Sequence, residues 1–198
     1  GLPLIQPKTL LKCEKTLGKA TSKLVLATLQ TFETCAIEAF KCVHARAADT
    51  DRAACFADAG RHCNSKLTKL DLSHAKFRGQ FIAACGGEPP SVPLELLRST
   101  DVLGFSLLQR QCFGLDLSSP DLILGCLEIV SPCAVQRALG VGIPRAGDLF
   151  ALMTANTDGA GACLPPPSGA TDGLAGLPVV AQTVRCQRAV ATSGRKLL

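Results

Sequence analysis

The chain has no tryptophan, no tyrosine and one methionine among its 198 residues. Phenylalanine, at 8 copies, is the only aromatic side chain. A core must therefore be built from Leu, Val, Ala and cystine, and aliphatic, alanine-rich sequence favours helix over sheet. With Trp and Tyr absent, few aromatics are left to stack on the bases of a single-stranded nucleic acid beside the basic residues. No G-x-S-x-G sequence and no glycine-rich loop of the phosphate-binding kind occurs, so two common catalytic frameworks are absent. No apolar run approaches the ~18 residues of a transmembrane helix. The strongest, Leu122-Ile-Leu-Gly-Cys-Leu, ends at Glu128, and no transmembrane segment is expected.

What the chain has in excess is cysteine, with 11 copies. Such density belongs to oxidising compartments: the periplasm, the cell surface or the extracellular space. A start at Gly1 rather than Met fits a processed mature end or an excised fragment. The expected localisation is secreted.

The first six cysteines are spaced like a mirror. Cys13, Cys35, Cys42, Cys55, Cys63 and Cys85 leave gaps of 22, 7, 13, 8 and 22. Paired from the centre outwards their numbers sum to 97, 98 and 98. Two antiparallel helices stapled at three levels would give that pattern. Lys8 to Arg46 reads as one long helix, with Leu10, Leu17, Leu24, Phe32, Cys35, Ala39 and Cys42 at helical spacing. At ~100° per residue Cys13, Cys35 and Cys42 fall within about 40° of one another. A second helix should run from Arg52 to Cys85, with Asp49, Thr50 and Asp51 offering N-caps. Gly86-Gly87 and Pro89-Pro90 stop it.

Geometry excludes bonds within one helix. Residues 7 or 8 apart are ~10–12 Å apart along the axis, beyond the ~7 Å reach of a disulfide. Helices packed side by side bring facing Cα atoms to roughly 4–5 Å. The bonds should be Cys42–Cys55, Cys35–Cys63 and Cys13–Cys85. Zinc sites need cysteines clustered as C-x2–4-C, and no two here are closer than 7 positions. The sequence implies no metal and no cofactor. His44, His62 and His74 sit on the helices with no acidic relay and read as surface residues; His44 stands where the macrodipole favours a cation.

After the proline joint the pattern shortens. Helices are expected from Pro93, from Asp101 to Leu108, near 119–130 and 131–140, and from Pro144 to Met153. Ser119-Pro120 and Ser131-Pro132 are both N-cap plus N1-proline signatures. Leu96, Leu103, Phe105, Leu108, Leu122, Ile123, Leu127, Val135, Leu139, Leu149, Phe150 and Leu152 exceed what short helices need against each other. They dock on the hairpin or line a lipid pocket. Cys112, Cys126, Cys133 and Cys163 allow three connectivities. The turn-forming stretch from Gly114 to Pro120 leans towards Cys112–Cys126, with Cys133–Cys163.

The tail repeats the head. Residues 156–178 form a Gly/Pro-rich linker, and the segment at its far end copies the opening of the chain. Gly176-Leu-Pro matches Gly1-Leu-Pro, Arg185-Cys-Gln-Arg-Ala-Val matches Lys12-Cys-Glu-Lys-Thr-Leu, and Arg195-Lys-Leu-Leu matches Ser22-Lys-Leu-Val. A unit of about 173 residues succeeded by the start of another is implied. Eleven is odd, so Cys186 is expected to be free or to bond another chain. The pattern Lys12-Cys-x-Lys-x-x-x-Lys-Ala, the Cys85-Gly-Gly stop and Pro144-Arg-Ala-x-x-Leu-x-Ala-Leu together resemble uncharacterised secreted bacterial proteins with cysteine-rich helical repeats. The resemblance implies secretion and repetition, and carries no activity or site residues.

The formal charge of +5 is unevenly spread. Residues 1–88 carry 13 basic and 8 acidic groups, 89–173 carry 4 and 8, and 174–198 carry 4 and none. Opposite charge favours a head-to-tail contact between tail and middle block, and such a contact propagates rather than closing.

The expected protein is all-α. It has a three-disulfide hairpin over 1–88, a short-helix block over 89–165 and a linker with tail helix over 166–198. Its expected role is structural, a non-enzymatic homo-oligomer or filament subunit. Val184, Arg185, Arg188, Val190, Arg195, Lys196, Leu197 and Leu198 would join copies of the chain or a following repeat. No nucleic acid partner is expected. A secreted carrier of lipid or another apolar ligand is the alternative.

Overall fold

The computed structural model describes residues 6–44, 49–87, 89–112, 114–153, 162–164, 166 and 189. All regular structure among them is helical: α1 (Pro7–His44), α2 (Asp49–Ala84), α3 (Leu94–Arg98), a 3-10 turn (Phe105–Leu108), α4 (Pro120–Gly142) and α5 (Ala146–Leu152). α1 and α2 are the two long rods of the hairpin.

The ends of these elements are set by local chemistry. Gly87 sits at φ 97°, a left-handed conformation that a helix stop requires and a side chain resists. Gly86 donates to the Phe81 carbonyl at 3.2 Å, and Val92 reaches back to the Cys85 carbonyl at 3.2 Å. At the head of α4 the Ser119 hydroxyl accepts from the Leu122 amide at 3.2 Å, with Pro120 in the first helical position. Asp49, Thr50 and Asp51 are the first three residues of α2 itself, not caps before it. An acidic residue in that first turn, such as Asp51, still complements the macrodipole.

Two expectations are corrected. The separate helices near 119–130 and 131–140 are one helix, with Pro132 inside it. Proline removes one amide donor and costs ~3 kcal/mol in a helix interior. Leu127, Val135, Gln136 and Leu139, on both sides of it, are buried, and that burial holds the helix through the defect. Between Asp101 and Leu108 only a 3-10 turn forms, because Gly104 at φ 69° breaks the α-helical path.

The continuous α4 also revises the membrane reading. It is long and apolar enough to cross a membrane by length and composition, with a mean hydropathy of 1.5 over its most apolar window. Its Ile123, Leu124, Cys126, Leu127, Val135 and Leu139 are buried, whereas Leu122, Ile129 and Val141 are exposed.

The chain divides into two compact units, and each takes a stretch of both rods. Unit 1 comprises residues 1–25 and 72–132. Its core joins Leu17 and Leu24 of α1, Phe77 and Phe81 of α2, and Leu97, Leu117 and Ile123 of the later segments. Unit 2 comprises residues 26–71 and 133–198. There Phe32 of α1 meets Phe150 of α5 with ring centroids 5.4 Å apart, and Leu67, Leu139, Leu149 and Met153 complete the interior.

Packing in unit 2 is closest at Gly60, where a Cβ would run into the backbone carbonyl of Met153. Gly18 and Gly79 have open space in the same place. Gly60→Ala should therefore lose about 1–3 kcal/mol through overpacking. Gly18→Ala and Gly79→Ala should each gain about 0.5–1 kcal/mol from helix propensity. Guanidinium unfolding under non-reducing conditions checks the opposed signs.

Candidate functional site

The covalent framework is the most sharply defined feature of the molecule. Cys35–Cys63 and Cys42–Cys55 join α1 to α2 in unit 2, with Cα separations of 5.1 and 5.6 Å. Cys13–Cys85 joins the opening of α1 to the end of the α2 segment in unit 1, at 5.0 Å. Cys112–Cys126 ties the loop after the 3-10 turn to α4, and Cys133–Cys163 fastens a later segment to the same helix. The three hairpin pairs are those read from spacing, and the other two are the connectivity towards which the turn-forming stretch leans, out of the three open to those cysteines. Ten of the eleven cysteines are so consumed; the eleventh, Cys186, lies outside the described residues. Such a set of bridges indicates an oxidising, extracellular type of environment.

Val184, Arg185, Arg188, Val190, Arg195, Lys196, Leu197 and Leu198 also lie outside the described residues. His62 is exposed, as its sequence reading has it, and His44 is the last residue of α1. His74 is half-buried.

Four buried polar side chains escaped the sequence reading: Thr28, Glu33, Gln136 and Asp148. A signal was present. Leu29, Phe32, Glu33 and Ala36 have the i, i+3, i+4, i+7 spacing of a buried face, and Glu33 occupies one of its positions. Two of the four have clear tasks in unit 2. Gln136 accepts the Cys163 amide at 2.9 Å, one helical turn from Cys133, so hydrogen bond and disulfide fix the same segment. Asp148, with its side chain 7% exposed, accepts from Arg145 Nε at 3.0 Å across the first turn of α5. Burying these groups without partners would cost ~1–3 kcal/mol each.

Unit 1 has a corresponding polar clasp. Arg78 of α2 grips Glu128 of α4 with both prongs, Nη2 to Oε2 at 2.6 Å and Nε to Oε1 at 3.1 Å. Bidentate geometry of this kind fixes orientation as well as charge. It accounts for a carboxylate in the middle of the most apolar helix.

These polar groups hold elements together, and each described partner is another part of the scaffold. Among the described residues no group of three or more His, Cys, Asp or Glu side chains could hold a metal ion. The apolar positions of the short-helix block are largely core: Leu96, Phe105, Ile123, Leu127, Val135, Leu139, Leu149 and Phe150 are buried.

The chain matches no protein-family model, no curated protein and no solved structure.

Nested bridges make separable contributions. Cys13–Cys85 closes 72 residues, although Cys35–Cys63 already constrains the middle of that loop. Replacing Cys13 and Cys85 by serine should cost about 2–4 kcal/mol. Hydrogen exchange should rise in 7–25 and 72–84 and stay slow in 29–43 and 55–70, where two bridges remain. Uniform loss of protection along both rods would contradict independent stapling.

Proposed function

We propose that the protein is an extracellular structural protein, a disulfide-hardened helical subunit that joins copies of itself head to tail through its C-terminal segment. The observation that carries this reading is the framework itself. Five bridges in one chain rigidify the scaffold, and the Arg78–Glu128 and Gln136–Cys163 contacts add to them. Such rigidity, with no group of three or more His, Cys, Asp or Glu side chains able to hold a metal among the described residues, suits load-bearing and spacing better than turnover.

Charge and sulfur supply the joint. Residues 174–198 carry four basic groups and no acid, whereas 89–173 carry eight acidic and four basic. Glu95, Asp101, Asp116 and Asp121 of that block are exposed. Cys186, next to Arg185 and outside the five pairs, can lock the contact as an interchain disulfide. Tail on middle block is a heterologous contact, so repetition yields a chain of subunits, in the limit a filament. The burial of the Leu-rich block supports this reading over an apolar-ligand carrier, since those side chains already have protein neighbours.

Sedimentation velocity under non-reducing conditions tests the joint. The intact chain should form species larger than one subunit that grow with concentration. Removal of residues 176–198 should leave a discrete monomer, and Cys186→Ser should abolish reducible covalent dimers. A monomer from the intact and the shortened chain alike would rule the joint out.

A further inference from the structure

We infer that α1 carries a docking face for an anionic lipid bilayer, formed by Lys8, Lys12, Lys15, Lys19 and Lys23. The face lies wholly within unit 1. Successive spacings of 4, 3, 4 and 4 place the five side chains within an arc of about 80° on one helix. All five are exposed, and none joins a salt bridge or side-chain hydrogen bond among the described residues. The buried face of the same stretch, Cys13, Leu17, Ala20 and Leu24, is centred about 130° away. Glu14, the one acidic residue between positions 8 and 23, stands about 140° round from the lysines. The row is about 22 Å long and straight. Within unit 1 the described hairpin stretches carry seven Lys or Arg and one acid.

Residue choice selects the partner. The chain has 10 Lys and 11 Arg, yet the row is lysine throughout and holds half of all the lysines. Arginine is the group for bidentate recognition of a particular phosphate, sulfate or carboxylate; lysine is a hydrated point charge on a flexible stem. No aromatic residue lies between 8 and 23 to stack on a base or a sugar. A straight row of point charges on a rigid rod meets a plane along its full length. An anionic bilayer offers a headgroup to each ammonium without any register, which a single polymer strand does not. Leu11, 47% exposed, borders the row at one turn from Lys8 and Lys15, and such side chains rest in the headgroup region.

Co-sedimentation with vesicles tests the face. The probes are vesicles of phosphatidylcholine and phosphatidylglycerol in equal parts, with pure phosphatidylcholine as the uncharged control. Each lysine near an anionic surface is worth roughly fivefold in affinity. Changing all five to glutamine should weaken binding by roughly three thousandfold, and added salt should weaken binding by the parent protein. A second variant, Lys41, Arg61, Lys66, Arg110 and Arg137 each to glutamine, removes the same formal charge from other exposed positions. It should lose much less. Circular dichroism and non-reducing intact mass establish that both variants keep helix and bridges. Failure to bind phosphatidylglycerol vesicles, or equal loss in both variants, overturns the proposal. Binding to heparin or duplex DNA with none to vesicles overturns it as well and assigns the row to a soluble polyanion. Because no residue of the tail is changed, the outcome is independent of head-to-tail assembly.

Discussion

The distance between two packed helices is the constraint on which this molecule rests. Helix axes at about 8–10 Å bring facing Cα atoms into disulfide range only along one line of contact. Cys13, Cys35 and Cys42 lie on α1; Cys63 and Cys55 lie on α2 and Cys85 directly follows its last residue, with Cα separations of 5.0, 5.1 and 5.6 Å for Cys13–Cys85, Cys35–Cys63 and Cys42–Cys55. Once the line is set, the rest of the heptad-like surface is assigned. Leu17, Leu24 and Phe32 must face inwards beside the sulfurs, and the intervening lysines must face out. Register is thereby covalent, and slippage of one rod against the other would break bonds rather than shift contacts.

A chain with so few aromatics needs that help. Aromatic side chains bury the largest areas and dominate most cores. Here three of the five phenylalanines on the hairpin, Phe32, Phe77 and Phe81, are fully buried, while Phe40 and Phe56 are half-buried. Small side chains such as Ala36, Ala39, Ala59 and Ala84 fill the remaining contact line; they allow close approach but contribute little buried area. Bridges that restrict the unfolded chain offset the shortfall. The polar clasps act in the same sense, Arg78–Glu128 in one unit and Gln136 beside Cys133–Cys163 in the other.

Where sequence alone succeeded, the signal was local or covalent: cysteine spacing, the Ser119-Pro120 cap, the Gly86-Gly87 stop. Where it failed, tertiary burial outweighed a local rule. Ser131-Pro132 has the form of a helix start, but the helix arriving from Leu122 is anchored on both sides of the proline and continues. Conversely, Asp101 to Leu108 has apolar spacing suited to a helix, and Gly104 turns it into a single 3-10 turn. Glu33 and Asp148 were passed over for another reason, although Glu33 stands on an apolar face at helical spacing. Charged residues are counted as surface by default, and only the packing shows which carboxylate is enclosed. The lysine row was visible as composition, yet its single-sidedness and lack of partners emerge only once α1 is one continuous helix with its buried face known.

Charge placement then bears on function more than any single residue does. If lysines served solubility alone, they would be expected to alternate with acids, since interspersed signs keep a surface soluble without creating a strong field. The unit 2 hairpin stretches do alternate, with Lys41 beside Glu38 and Arg61 beside Asp58 as i, i+3 pairs. Residues 8–23 of unit 1 do not: five like charges recur one turn apart, and like charges at that spacing destabilise a helix by ~0.2–0.5 kcal/mol per pair. A sequence that tolerates this repulsion at one place, and neutralises charge at another, has segregated its basic groups. The three nested bridges make that tolerable, because a helix held by sulfur can carry a repulsive face that a free helix would fray to avoid. Rigid scaffold and unneutralised face are thus two aspects of one arrangement.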